Sequence, residues 1–160
     1  MFGYGSLAAE PGAAPARLRG WRRVWGVAMD NAQVIPGYKV YRARDGAQPD
    51  VCVAFLDLQA HAGCVLDGVL LPASAARLRG LDHRERNYER LDVTAAVDDA
   101  PGRVWAYVGR ADSRARLIAA RTAGRAVVAA GYARLVAPVA APDLPVVELR
   151  RVDVPAARPG

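Results

Sequence analysis

Residues 51–58 (VCVAFLDL) form a nearly continuous apolar run, and residues 65–71 (VLDGVLL) repeat its character. Short runs of this kind fit strands covered on both faces, so both are read as central strands of a sheet. The preceding chain agrees with a sheet. Pro11, Gly12 and Pro15 forbid a regular helix, and in residues 17–29 (RLRGWRRVWGVAM) Trp21, Trp25 and Val27 fall on alternating positions, as in a strand. Pro36-Gly37 marks a turn, and residues 46–49 mark another. Helix formers gather only at residues 73–87 (ASAARLRGLDHRERN), with Ser74 near the start. A strand at 90–97, a turn at 98–102 (DDAPG) and a returning strand at 103–108 form a predicted hairpin. Asp112 can cap a helix reaching residue 123, Gly124 can end it, and residues 126–136 read as a further short helix. Strands first, one inserted helix, more strands and then helices predict a mixed α+β domain rather than alternating βαβ units.

The chain of 160 residues, just over half of them hydrophobic, is long enough for a real core and short enough for one domain. That domain is placed at residues 1–137. The proline-rich tail at 138–160 is left with one strand, at 146–149. A net charge of +6 and a pI near 9.9 raise the question of nucleic acid. Lys39 is the single lysine, and the arginines are scattered from Arg17 to Arg158 with no run longer than two. A solvated, charge-mixed surface is therefore expected, with neither nucleic acid nor membrane as partner. Cys52 and Cys64 stand twelve apart, without a CxxC and without histidine at zinc spacing, so they are read as core thiols. No signal-like start is present, and Arg116, Arg121, Arg125 and Arg134 interrupt the apolar C-terminal half. The expectation is a soluble, cytoplasmic protein.

Two places could carry chemistry. Gly3-Tyr4-Gly5-Ser6-Leu7-Ala8 satisfies G-x-G-x-x-A formally, but it lacks the preceding strand, the following helix and the downstream acid of a dinucleotide site. What remains is a glycine-bearing loop at a strand end, able to turn several backbone N–H groups toward one carboxylate. A tight turn with Tyr4 in the core is the alternative. The second place is residues 81–90 (LDHRERNYER). On a continuing helix, Leu78, Leu81, Glu85 and Tyr88 share one side at i, i+3, i+7 and i+10, which puts a carboxylate on the apolar stripe. Burial there would raise its pKa toward the range useful for moving protons. Pairing of Glu85 with Arg84, Arg86 or another arginine is the competing reading, and Asp82 and Glu89 lie near the same side, so geometry alone leaves three carboxylates open. His61 and His83 have no metal-pair spacing, and there is no GxSxG, Walker loop or HExxH.

These residues resemble the γ-glutamylcyclotransferase superfamily, including its ChaC branch. Phe2-Gly3-Tyr4-Gly5-Ser6-Leu7 is similar to the FGYGSL signature that opens those proteins, and Leu81-Asp82-x-Arg84-Glu85 with Tyr88 resembles their LDxRE segment. Residues 65–71 and 17–25 resemble the intervening strand and the early L-x-G-[YW]-R stretch, so the likeness runs over roughly residues 1–110. It implies a partly closed, barrel-like mixed sheet with flanking helices and no cofactor or metal. It also implies a lyase or acyltransferase chemistry in which a γ-glutamyl group closes to 5-oxoproline. Gly3, Tyr4, Gly5, Ser6 and Leu7 would then bind substrate, and Glu85 would be the catalytic acid and base. The family's PSxxY element has the counterpart Asp112-Ser113-Arg114-Ala115-Arg116, which lacks the tyrosine and counts against glutathione as substrate. Tyr107, Tyr88 and Tyr132 are the candidate replacements. Met1 leaves almost no strand before the loop, so either that strand is short or the chain begins further upstream.

Overall fold

The computed structural model of the chain describes residues 1–138 and 140–157; Val139 and the last three residues of the expected tail lie outside them. Two compact units are present, Met1–Gly26 with Leu56–Ala111, and Val27–Phe55 with Asp112–Gly160. Two long strands, β2 (Ala14–Asp30) and β4 (Cys52–Leu70), run through both and pair with each other.

In the first unit, β1 (Phe2–Gly3) pairs antiparallel with the end of β4, Phe2 opposite Leu70 and Gly3 opposite Val69. Helix α1 (Ala75–Arg84) follows, its first turn capped by Ser74, whose hydroxyl accepts the Arg77 N–H. Strands β5 (Tyr88–Asp92) and β6 (Trp105–Gly109) form an antiparallel ribbon, Tyr88 opposite Gly109 and Asp92 opposite Trp105. The predicted hairpin is therefore real, but its connection is longer than the five residues expected. Residues 94–96 coil into a 3-10 turn instead of extending the strand, because Asp92 Oδ1 accepts both the N–H and the hydroxyl of Thr94.

In the second unit, β3 (Lys39–Arg42) pairs antiparallel with β9 (Arg150–Asp153). Strand β7 (Ala126–Ala129) runs parallel to β4, Cys52 opposite Ala126, and β8 (Val146–Val147) runs parallel to β7. Helices α2 (Ala111–Thr122) and α3 (Ala130–Val136) complete the elements. Gly124 ends α2 at φ 66°, where the Arg125 N–H turns back to the Ala120 carbonyl at 2.8 Å. Asn31, fully buried, ties this unit together: its Nδ2 donates to the Tyr41 and Pro49 carbonyls at 2.9 and 3.0 Å, and its Oδ1 accepts the Tyr41 N–H at 2.6 Å. Asn31→Ala orphans those backbone groups and is expected to cost about 1–3 kcal/mol, read as a lower urea midpoint.

With antiparallel and parallel neighbours along β4 and three helices among the described residues, the chain is mixed α+β, as expected. Five local expectations are corrected. The runs at 51–58 and 65–71 fall in one strand, β4, which pairs with β2 and ends at Leu70; in the exposed stretch between them Arg22 Nε donates to Gln59 Oε1 at 2.8 Å. Only the first run is covered on both faces; in the second, buried Leu66 lies between exposed Val65 and Asp67. Residues 126–129 are a buried strand, not the start of a helix, and β9 adds a second strand to the tail. Cys64 is half-buried with its Sγ 3.2 Å from His61 Nδ1, whereas Cys52 is a core thiol whose pKa burial pushes up. Among the described residues no helix is long and apolar enough to cross a membrane.

Candidate active site

The loop of residues 3–7 hangs from β1. Phe2 is fully buried, and its ring occupies the space that a Cβ on Gly68 would need; that Cβ would also stand 2.7 Å from the Gly3 carbonyl. After Gly3 the chain folds back on itself. A Cβ on Gly3 would meet Leu7 Cβ at 3.1 Å and Val69 Cγ2 at 3.2 Å, so a glycine is what lets Leu7 return to the sheet. Residues Ser6–Ala9 then form a 3-10 turn whose first bond is Ala8 N–H to the Gly5 carbonyl at 2.9 Å. The N–H groups of Ser6 and Leu7 precede that bond, and the turn itself offers them no acceptor.

Tyr4 is buried, as one of the two readings of the loop expected, and it is held at both ends. Its hydroxyl donates to the Tyr107 carbonyl at 2.7 Å, and its own carbonyl accepts Arg23 Nε at 2.6 Å. Leu7 packs in a cluster with Met1, Leu71, Leu81 and Tyr107, flanked by Tyr88. The loop, α1 and β6 therefore meet in one small core.

Glu85 caps the C-terminal end of α1; its N–H bonds to the Leu81 carbonyl at 2.7 Å, and its backbone (φ −92°, ψ 50°) leaves the helix. The helix is shorter than the predicted 73–87, so the stripe through Leu78, Leu81, Glu85 and Tyr88 is not helical beyond Arg84. Tyr88 opens β5, and its N–H bonds to the Glu85 carbonyl at 2.9 Å. The Glu85 side chain is nonetheless 18% exposed, against 42% for Asp82, and Glu89 is exposed on β5. Of the three carboxylates, Glu85 is the one most withdrawn from water. A helix C-terminus favours cations, so the backbone does not stabilise a carboxylate there. Arg84 does: its Nε lies 2.9 Å from Glu85 Oε1, the arginine pairing that was the competing reading.

Tyr107 links the two parts. Its hydroxyl donates to Asp82 Oδ1 at 2.7 Å, and Asp82 Oδ2 also meets Arg90 Nη1 at 3.2 Å. Burial pushes the Tyr107 phenol well up, reinforced by the bond to Asp82 and the nearby charges of Asp82 and Glu85. The group therefore stays protonated across the physiological range and donates to Asp82. Tyr107→Phe is expected to cost about 0.5–1.5 kcal/mol by urea denaturation, since Asp82 keeps Arg90 and is itself exposed to solvent.

Two residues of this scaffold were not singled out from the sequence. Asp57, almost wholly buried, accepts the Gly109 N–H at 2.6 Å and lies where a Cβ on Gly26 would collide with it at 2.6 Å. Together with the bond from Tyr88 Oη to the Leu56 carbonyl at 2.7 Å, it fastens the β5–β6 ribbon, and with it the turn carrying Glu85, to β4. Its signal was a single carboxylate inside the run VCVAFLDL. Arg23, the other, had no such signal. Of the remaining candidates, Tyr132 belongs to the second unit and stands edge-on to Phe55 at 5.0 Å, and Arg116, at the place of the missing PSxxY tyrosine, donates to the Ala28 carbonyl at 2.8 Å. A cavity of about 560 Å3 opens beside Met1, Leu71, Pro72 and Trp105, but neither Glu85 nor residues 3–7 line it.

The first unit therefore holds backbone donors on a clamped loop and a largely sheltered carboxylate, with Tyr107 bonded both to Tyr4 of the loop and to Asp82 of the helix that ends at Glu85. Such a set can hold an anionic group and move a proton beside it. A family model described as gamma-glutamyl cyclotransferase, AIG2-like, matches residues 1–137. No curated protein sequence matches the chain.

Proposed function

Since this chain belongs to the AIG2-like γ-glutamyl cyclotransferase family, we propose that it cyclises the γ-glutamyl group of a small γ-glutamyl amide to 5-oxoproline and releases the amine. In this reading Gly3, Tyr4, Gly5, Ser6 and Leu7 receive the α-carboxylate end of the substrate through backbone N–H groups, and Glu85 is the general acid and base. The substrate carries both its nucleophile, the α-amine, and its electrophile, the γ-carbonyl, so folding it into a five-membered ring makes the reaction intramolecular. Glu85 takes a proton from the α-ammonium, the freed amine attacks the γ-carbonyl carbon, and a C–N bond forms. The old C–N bond then breaks as the Glu85 carboxyl returns the proton to the departing nitrogen, and the second proton that the ring nitrogen sheds on becoming an amide passes through the same carboxylate to the amine, which leaves as its ammonium. Every atom and electron pair is accounted for within the substrate and one side chain, and for that reason we assign the reaction no metal and no cofactor.

The observation that carries this reading is the position of Glu85: a carboxylate mostly withdrawn from water at the end of α1, near the Tyr107 that anchors Tyr4 of the loop. A second reading, a binding module for γ-glutamyl ligands that does not turn them over, draws on the Arg84–Glu85 pair, which occupies one carboxylate oxygen. Incubation with glutathione, γ-glutamyl dipeptides and γ-glutamyl polyamines, followed for 5-oxoproline, separates the two. Product from any of them supports the enzyme, whereas binding without product supports the module. The two free thiols fit a reducing, cytoplasmic place of action.

A further inference from the structure

We infer that Arg23, on β2, is a positioning residue that sets the direction of the loop's amide donors, an inference that rests on the function proposed above. Its Nε donates to the Tyr4 carbonyl at 2.6 Å and its Nη2 to the Asp67 carbonyl of β4 at 3.0 Å. One half-buried guanidinium thus ties the loop to the sheet through two main-chain oxygens, using the fixed fork of donors that distinguishes arginine from lysine.

The consequence follows from peptide geometry. The Tyr4–Gly5 peptide is trans, so its C=O and N–H point in opposite directions. With the carbonyl drawn toward Arg23, the Gly5 N–H is turned away from it, and a flip of that peptide plane would break a charge-assisted bond. The Tyr4 side chain is fixed separately by the Tyr107 carbonyl, so neither end of the residue is left to rotate. Gly3 and Gly5 lack side chains that could hold the loop by packing, and a polar clamp on the backbone takes that role. Arg23 touches no reacting atom. Its effect reaches substrate through the orientation of the Gly5 amide, and its positive charge lies behind a loop that is to receive a carboxylate.

The test is steady-state kinetics of Arg23→Gln and Arg23→Lys on whichever γ-glutamyl amide the wild-type protein turns over, with melting curves alongside. Arg23→Gln is expected to raise KM by about ten- to a hundredfold, the worth of a hydrogen bond to a charged group, with kcat within about threefold. Arg23→Lys should recover only part of the loss, since an ammonium lacks the two-pronged fork. A purely structural role predicts otherwise: loss of folded protein lowers apparent kcat at unchanged KM. That pattern, or KM within about twofold of wild type in both variants, overturns the inference while leaving the function standing. A wild-type protein inactive on every γ-glutamyl amide removes the function first, and the assignment of Arg23 with it.

Discussion

Glu85→Gln is expected to lower turnover of a γ-glutamyl amide by about a hundred- to ten-thousandfold, the usual contribution of a positioned acid–base group, with KM nearly unchanged. Glutamine keeps the volume and one acceptor oxygen but can neither accept the proton of the α-ammonium nor return one to the leaving amine. Stability should hardly move, because the side chain's bond is to a partly exposed Arg84, and pairs of this kind contribute about 0–1 kcal/mol. The contrast is the informative part: a large loss of rate in a protein that melts like the wild type. Asp82→Asn serves as the control. Asp82 sits on the same helix, but it is engaged by Tyr107 and Arg90, so its loss should affect folding more than rate.

Phe2→Ala is expected to destabilise the protein by about 3–5 kcal/mol, the range for truncating a fully buried aromatic ring. Phe2 is half of a two-residue strand, and its ring fills the space over Gly68. Losing it leaves β1 held by backbone pairing alone, and the loop that follows loses its base. Gly68→Ala attacks the same contact from the other side: the added methyl meets the Phe2 ring and the Gly3 carbonyl, and overpacking of this kind costs about 1–3 kcal/mol. The double variant Phe2→Leu with Gly68→Ala should lose less than the sum of its single changes, because the smaller side chain makes room for the methyl. Strict additivity would mean that the ring and the glycine do not fit each other as described.

Motifs carried more of the candidate site than periodicity did. The loop of residues 3–7 was legible because two glycines flank a tyrosine at a strand end, and the structure uses both features, burying Tyr4 while Leu7 closes on Gly3. Glu85 was legible only through its resemblance, since the helical stripe that pointed to it ends one residue earlier. No glycine or proline stands at 85–88, and Asn87 is the one weak stop signal there. The helix ends because Tyr88 is claimed by β6, pairing with Gly109, and because the Asn87 carbonyl accepts the Arg110 N–H at 2.9 Å. Both partners lie more than twenty residues away, beyond any local pattern.

Residues 126–129 (AVVA) show the same override. Alanines beside a helix read as helix, yet Val127 and Val128 are buried in a strand, placed by pairing with Val53 and Val146. The clamp on Tyr4 was invisible for a different reason. Arginines are frequent in this chain, and nothing local separates Arg23, which binds the Tyr4 carbonyl, from its neighbour Arg22, which reaches Gln59 on the surface. Their roles divide because successive residues of a strand point to opposite faces.

The most direct test of intramolecular ring closure is to run the wild-type reaction on γ-glutamyl-alanine in water enriched in heavy oxygen and to weigh the products. Attack by the substrate's own amine predicts 5-oxoproline with no label, released one for one with alanine. Labelled glutamate would mean that water, not the α-amine, reaches the γ-carbonyl, and would contradict the account.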